Sequence, residues 1–306
     1  MNAHTRRFQA GTITGISAGL LATVSWSAMN VVIKHKIGSE LHPAVVSFGL
    51  FFSALTTLTP FSFVLWKTHT RDRPAFRLPR PPIVACAART GASLLFVYAT
   101  RTISATQTTM YTRLNPIWVC AILFFIDRDR IKRSSLLGGA LSFLGIYVIL
   151  GGWDKALSLS TKVVWGSMAA LLCGLCQAIF AVSLKRGASK APSAGLAHKI
   201  QFTTALIGVC LLMTLPFAIL FFPADMPDPG GVIWIWIGGA IFNACAYVLY
   251  YWCLTLVPEI LAVVILSLTL PFTMLIEKAF YGIETPPSLV VGALLVVCGI
   301  LYVAKS

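Results

Sequence analysis

The sequence predicts an all-α membrane protein of ten transmembrane helices, arranged as two inverted five-helix repeats. Three observations predict it. Hydrophobic residues make up 57% of the 306 and charged residues only 11%, a composition suited to lipid and not to a water-exposed surface. The apolar residues fall in ten continuous runs near the roughly 20 residues that span a bilayer, where barrel strands would alternate over about ten. The second half repeats landmarks of the first at an offset of about 151 to 155 residues.

Helix one is expected over 12–33. Arg6 and Arg7 precede it as they would a secretory leader, but the run is too long, no small-residue cleavage site closes it, and nine more follow, so it reads as a span. Gly19, Thr23, Trp26 and Asn30 share one of its faces by helical spacing. Helix two covers 43–66. Helix three, 82–101, carries Arg89 and then Tyr98. Helix four, 104–126, places Tyr111, Arg113 and Pro116 close to the midplane, and helix five is expected over 134–152. Helix six, 161–184, contains Gln177, and helix seven, 194–222, begins near Lys199. Helix eight, 231–254, sets Gly239, Asn243, Tyr247 and Tyr250 on one face. Helix nine, 258–281, carries Pro271 and Glu277, and helix ten covers 287–304. The chain thus divides into an N-terminal segment 1–11, a first repeat 12–152, a linker 153–160 and a second repeat 161–304.

A formal net charge of +14 would suggest nucleic acid in a soluble protein, but the location of the charge decides its meaning. With the N-terminus inside, Arg6, Arg7, Lys67, Arg71, Arg73, Arg77, Arg80, Arg128, Arg130, Lys132, Arg133, Lys185, Arg186, Lys190 and Lys305 fall on the cytoplasmic side. Lys34, Lys36, Arg101, Lys155 and Lys162 fall outside. That bias follows the positive-inside rule with both termini cytoplasmic, and anionic lipid accounts for the basic surface without nucleic acid. The eight cysteines lie within apolar runs and read as small packing residues. Cys173 and Cys176 form a CxxC with no second ligand pair, so neither a metal nor a cofactor is expected.

The internal repeat sets Gly15 on Gly166, Leu20 and Leu21 on Leu171 and Leu172, Trp26 on Gln177, and Lys34 on Lys185. Further on, Pro116 falls on Pro271, Asp129 on Glu284, the run Gly139 to Leu141 on Gly292 to Leu294, and Gly145 on Gly299. Five spans per copy is odd, so the second copy enters the membrane upside down. Inverted repeats are a common build of secondary transporters, since rocking one against the other exposes a central site to each side in turn. Ten spans, the duplication, the matched prolines with an acidic residue beyond each, and the glycine pattern of the fifth and tenth helices resemble the EamA-type branch of the drug/metabolite transporter superfamily. The resemblance implies a carrier of small metabolites, amino-acid-like or related organic compounds, in a bacterial inner membrane, with export the commoner direction and uptake or exchange the alternative. It does not extend to an arginine many relatives share in helix two, where this chain reads VVSFGLFFSAL.

Charges at membrane depth cost about 2.5–3.5 kcal/mol on insertion scales, so each needs a reason. Arg113 and Arg89 are expected to bind a carboxylate or phosphate on the substrate, to which a guanidinium offers paired donors. Trp26, Asn30, Tyr98, Tyr111, Gln177, Asn243, Tyr247 and Tyr250 are expected to line the cavity, or else to join helices. Lys199 and Glu277 sit near helix ends, where a long side chain can snorkel. Glu277 is the one carboxylate well inside a span and so the candidate for ion coupling. Pro116 and Pro271 each remove a backbone donor and free the carbonyl four residues earlier, at Thr112 and Ser267, which suggests hinges or kinks. The expected partners are a small-molecule substrate and membrane lipid, with the chain acting as a monomer or homodimer. An intramembrane lipid-modifying enzyme is the distant alternative; no HExxH or phosphate loop occurs.

Overall fold

The computed structural model describes residues 3–37, 41–69, 81–103, 105–127, 133–149, 161–188, 195–223, 228–284 and 287–304. The expected linker 153–160 lies outside them. The first half comprises α1 (Ala3–His35), α2 (Pro43–His69), α3 (Ile83–Thr102), α4 (Ala105–Thr112), α5 (Asn115–Asp127) and α6 (Arg133–Ile149). The second comprises α7 (Thr161–Ala188), α8 (Leu196–Leu220), α9 (Pro229–Ile237), a π-helical turn (Gly238–Asn243), α10 (Ala244–Leu256), α11 (Glu259–Leu266), α12 (Thr269–Tyr281) and α13 (Ser288–Ala304). Helix α1 begins well before residue 12, so Arg6 and Arg7 stand on its first turns.

Seven helical stretches among the described residues are long and apolar enough to cross a membrane. Shorter apolar helices, Asn115–Phe125, Leu136–Gly145 and Val290–Gly299, stand where helices four, five and ten were expected. Large apolar side chains such as Phe63, Ile83, Phe125, Ile219, Leu220 and Phe280 are exposed, which is the surface a lipid-facing bundle presents.

Packing between helices follows the duplication. The principal pairs are α6 with α13, α3 with α7, α1 with α10 and α2 with α8. Exchanging the two halves maps α3–α7 onto α1–α10 and returns the other two pairs to themselves, as a two-fold axis requires. Glycines mark the crossings. A Cβ on Gly145 would meet the Gly292 carbonyl at 2.5 Å, and one on Gly299 would meet the Gly138 carbonyl at 2.5 Å. Likewise Gly15 abuts Val257 and Leu256, while Gly166 abuts Ile103 and Thr102. Small residues let backbones approach where lipid supplies no hydrophobic drive for association. The π-helical turn follows the same logic: a Cβ on Gly239 would lie 2.7 Å from the Leu50 carbonyl, so only glycine admits α2 there.

Two of the membrane helices are interrupted. The stretch expected as helix four breaks at Arg113 and Leu114, and that expected as helix nine breaks at Ser267 and Leu268. In both, the break lies on the N-terminal side of the proline, where the missing N–H and the ring's clash with the preceding turn interrupt the hydrogen-bond ladder. Facing helices accommodate the breaks differently. Thr23 and Ser27 of α1 donate to the carbonyls of Ile265 (3.4 Å) and Thr269 (3.0 Å). Gly174 of α7, lacking a side chain, lets the Thr112 carbonyl come within 3.1 Å of where its Cβ would be.

Candidate functional site

Two cavities meet beside the interrupted helices. The larger, about 380 Å³, lies among the C-terminal turns of α1, α3 and α12 and is lined by Asn30, Lys34, Thr100, Arg101, Thr109 and Glu277, with apolar walls from Ile33, Phe96 and Val97. The smaller, about 60 Å³, shares Asn30, Ile33, Phe96 and Val97 with it and continues inward to Trp26, Arg89, Arg113, Asn115, Gln177 and Tyr250. A mostly apolar cleft with a few convergent polar groups is what small-molecule sites are made of.

Arg89 is held in an aromatic cage. Its guanidinium carbon stands 5.0 Å from the ring centre of Tyr247, 5.6 Å from Trp26 and 5.9 Å from Phe180, and its Nε donates to the Tyr247 hydroxyl. Ring faces attract a cation without neutralising it. Arg113 sits at the break between α4 and α5, 7% exposed, and its buried Nε has no hydrogen-bond partner. Next to it Asn115 donates to the Gln177 side chain at 3.4 Å, while its own Oδ1 is unpartnered. Neither arginine faces a carboxylate: among the described residues the ion pairs are those of Glu277, with Lys34 at 2.6 Å and His35 at 3.0 Å.

Glu277 does not snorkel as its nearness to a helix end suggested. It is buried in the wall of the larger cavity because Lys34 reaches it from the last turn of α1, which runs on to His35, and because His35, stacked on Tyr281 at 4.1 Å, shares the same oxygen. Lys199 is likewise buried, its ammonium 4.6 Å from the Trp252 ring centre. Burial and then the Arg101 charge hold the His42 imidazole below its ordinary range.

The remaining expected residues divide. Trp26, Asn30, Gln177 and Tyr250 line the cavities with both arginines. Tyr247 forms the cage. Asn243 instead joins helices, accepting from the Trp26 indole and donating to the Leu50 carbonyl, each at 3.4 Å. Tyr98 and Tyr111 line neither of these two cavities. Tyr98 is 46% exposed, since it lies on the face of α3 opposite the buried alanines, and Tyr111 packs on a separate cluster of Ala99, Ile103, Ala169 and Ala170. Lys34, His35, Arg101 and Asn115 went unrecognised as site residues. The match of Lys34 to Lys185 was a signal for one of them, whereas nothing in the local sequence of Asn115 distinguishes it from a cap.

The Cys173 thiol donates to the Ala92 carbonyl at 3.2 Å, a packing contact between α7 and α3. Among the described residues no three His, Cys, Asp or Glu side chains converge as a metal site would need.

Among the described residues the chain is an all-helical bundle with duplicated halves, an apolar exterior and a cleft at two broken helices. The model of the EamA-like transporter family matches residues 13–151 and again 164–305, and the chain belongs to that family, within the drug/metabolite transporter superfamily. No curated protein matches it in sequence. Among solved structures 29 chains match. One of them, a protein of known crystal structure, superposes with a TM-score of 0.73 over 96% of this chain and 95% of its own, at 16% identity, a likeness of fold.

Proposed function

We propose that the protein is a secondary carrier of a small carboxylate- or phosphate-bearing metabolite, with ten spans in two inverted repeats and a site that opens to each side of the bacterial inner membrane in turn. The observation that carries this is the continuous cleft from the Lys34 mouth to Arg113: a wide polar entrance narrows onto an unpaired buried cation at a broken helix. Discontinuous helices at mid-membrane are where such carriers bind their cargo, and an arginine there is costly unless an anion meets it.

The far end is packed shut. Lys185, counterpart of Lys34, donates to the carbonyls of Leu254 (2.6 Å) and Val257 (2.9 Å) at the end of α10, and Leu184, Leu254 and Val257 around it are buried. With both termini cytoplasmic, the arrangement is open to the periplasm and latched inside. In the opposite state Lys34 takes the matching acceptors at the end of α3, the carbonyls of Thr100 and Ile103, and Lys185 lets go. Glu277 restrains Lys34 in the open state, and a proton on Glu277 frees it, which makes this carboxylate the coupling group. Export is the direction the resemblance favours.

The test is counterflow in proteoliposomes loaded with radiolabelled pyruvate, succinate and glycerol 3-phosphate. Saturable exchange by the natural chain that disappears in Arg113→Ala, with the variant still folded, is the expected result. Chemical turnover of a label without its movement, or equal exchange by both proteins, overturns the reading.

A further inference from the structure

We infer that the inner cavity is built for a dianion, a dicarboxylate or a phosphate monoester, and discriminates against zwitterions such as amino acids. The inference rests on the anion-carrier reading above and adds a charge count to it. Two guanidinium groups, Arg89 and Arg113, line one small cavity, and among the described residues no acidic side chain lines it with them. Arg89 is stabilised by ring faces and a tyrosine hydroxyl, all neutral groups, and Arg113 keeps a buried, unpartnered Nε. Like charges in a water-poor site repel unless counter-charge arrives, and one negative charge answers only half of what is there.

Three further features agree. The break after α4 directs the N-terminal end of α5, a half-helix whose dipole favours negative charge, at the same place, and Asn115 on its first turn lines the cavity. The carboxylate that could receive a substrate ammonium is Glu277, in the outer cavity, and both Lys34 and His35 already occupy one of its oxygens. The entrance carries Lys34 and Arg101 against that single carboxylate, so the whole path is net positive and concentrates anions. An amino acid entering the inner cavity would bring a third cation beside two unpaired ones.

The experiment compares probes that share a two-carbon acid skeleton: succinate (dianion), propionate (monoanion) and β-alanine (zwitterion), with glycerol 3-phosphate as the phosphate dianion. Thermal stability of the purified full chain is followed against each at about pH 8, where carboxylates and phosphate monoesters carry full charge. A second charge-assisted contact predicts that succinate or glycerol 3-phosphate half-saturates at least about 10-fold lower than propionate and β-alanine, and which dianion does so tells carboxylate from phosphate. Arg113→Gln removes that advantage, and Arg113→Lys, which keeps the charge, retains most of it. Both dianions no better than propionate, or no shift with either, overturns the two-charge site and leaves the anion carrier standing if counterflow succeeds. Preference for β-alanine overturns both.

Discussion

Lys34 and Lys185 stand in the last turns of α1 and α7, the opening helices of the two repeats, yet they hold different partners. Lys185 clamps two carbonyls at the end of α10. Lys34 turns from the end of α3 to Glu277. The backbones around them are alike: Gly15 abuts Leu256 and Val257 on one side, and Gly166 abuts Thr102 and Ile103 on the other. What differs is the direct ion pair, which Lys34 makes with Glu277. Counting from the matched prolines, the counterpart of Glu277 is Ile122, and Lys185, with Glu259 acting on it only through space, donates to the helix-end carbonyls. The same count sets Arg113 opposite Leu268, which leaves the first break cationic and the second neutral. Duplication has kept the packing and let the charges diverge, and that divergence separates an open, charged cleft from a closed end.

The largest effect comes from erasing the difference between the two breaks. Arg113→Leu makes the first resemble the second, and counterflow is expected to fall about 100-fold as a charge-assisted anion contact is lost, with thermal stability kept or raised because an unpaired buried charge is gone. A transport rate within threefold of the natural one, roughly 0.7 kcal/mol, removes Arg113 from the site. Next, Lys185→Met unfastens the closed end; two helix-end carbonyls lose a charged donor, and chemical denaturation should show a loss of about 1.5–3 kcal/mol. No loss would mean that the two ends do not differ energetically. Gly145→Ala and Gly299→Ala are crossings related by the two-fold, so each should cost about 1–3 kcal/mol by overpacking, and a gap of more than about 1 kcal/mol between them breaks the equivalence of the halves. Glu277→Ile copies the closed end onto the open one: a cysteine placed at Thr100 should react more slowly with an impermeant maleimide. Faster labelling would argue against Lys34 as the latch. Smallest of all, Tyr98→Phe should leave counterflow within about twofold, since the side chain lies outside both cavities.

Much of the fold was legible because lipid imposes a simple rule: backbone groups must be satisfied within each segment, so long apolar runs announce helices. The glycines and prolines that matched between halves also stood in the sequence, and they mark the crossings and breaks observed. The site was less legible. Trp26, Asn30 and Gln177 lie on faces that helical spacing exposes to inspection, but Tyr98 has the same composition signature and points elsewhere, because its helix turns alanines inward. Glu277 looked exposed by its distance from a helix end; a lysine more than two hundred residues away decided otherwise.

By itself the sequence determined the solvent, the helical class, the duplication and the presence of costly charges at membrane depth, since these depend on composition, run length and position along the chain. Only the tertiary structure decided which charges meet. Arg89 found an aromatic cage on α1, α7 and α10, Lys34 found Glu277, and the buried Nε of Arg113 found no hydrogen-bond partner among the described residues. Side-chain pairing in a bundle depends on helix rotation and contact at the ångström scale, which short-range hydrophobic period does not encode, and the cavity centred on an unpaired arginine is a product of that pairing.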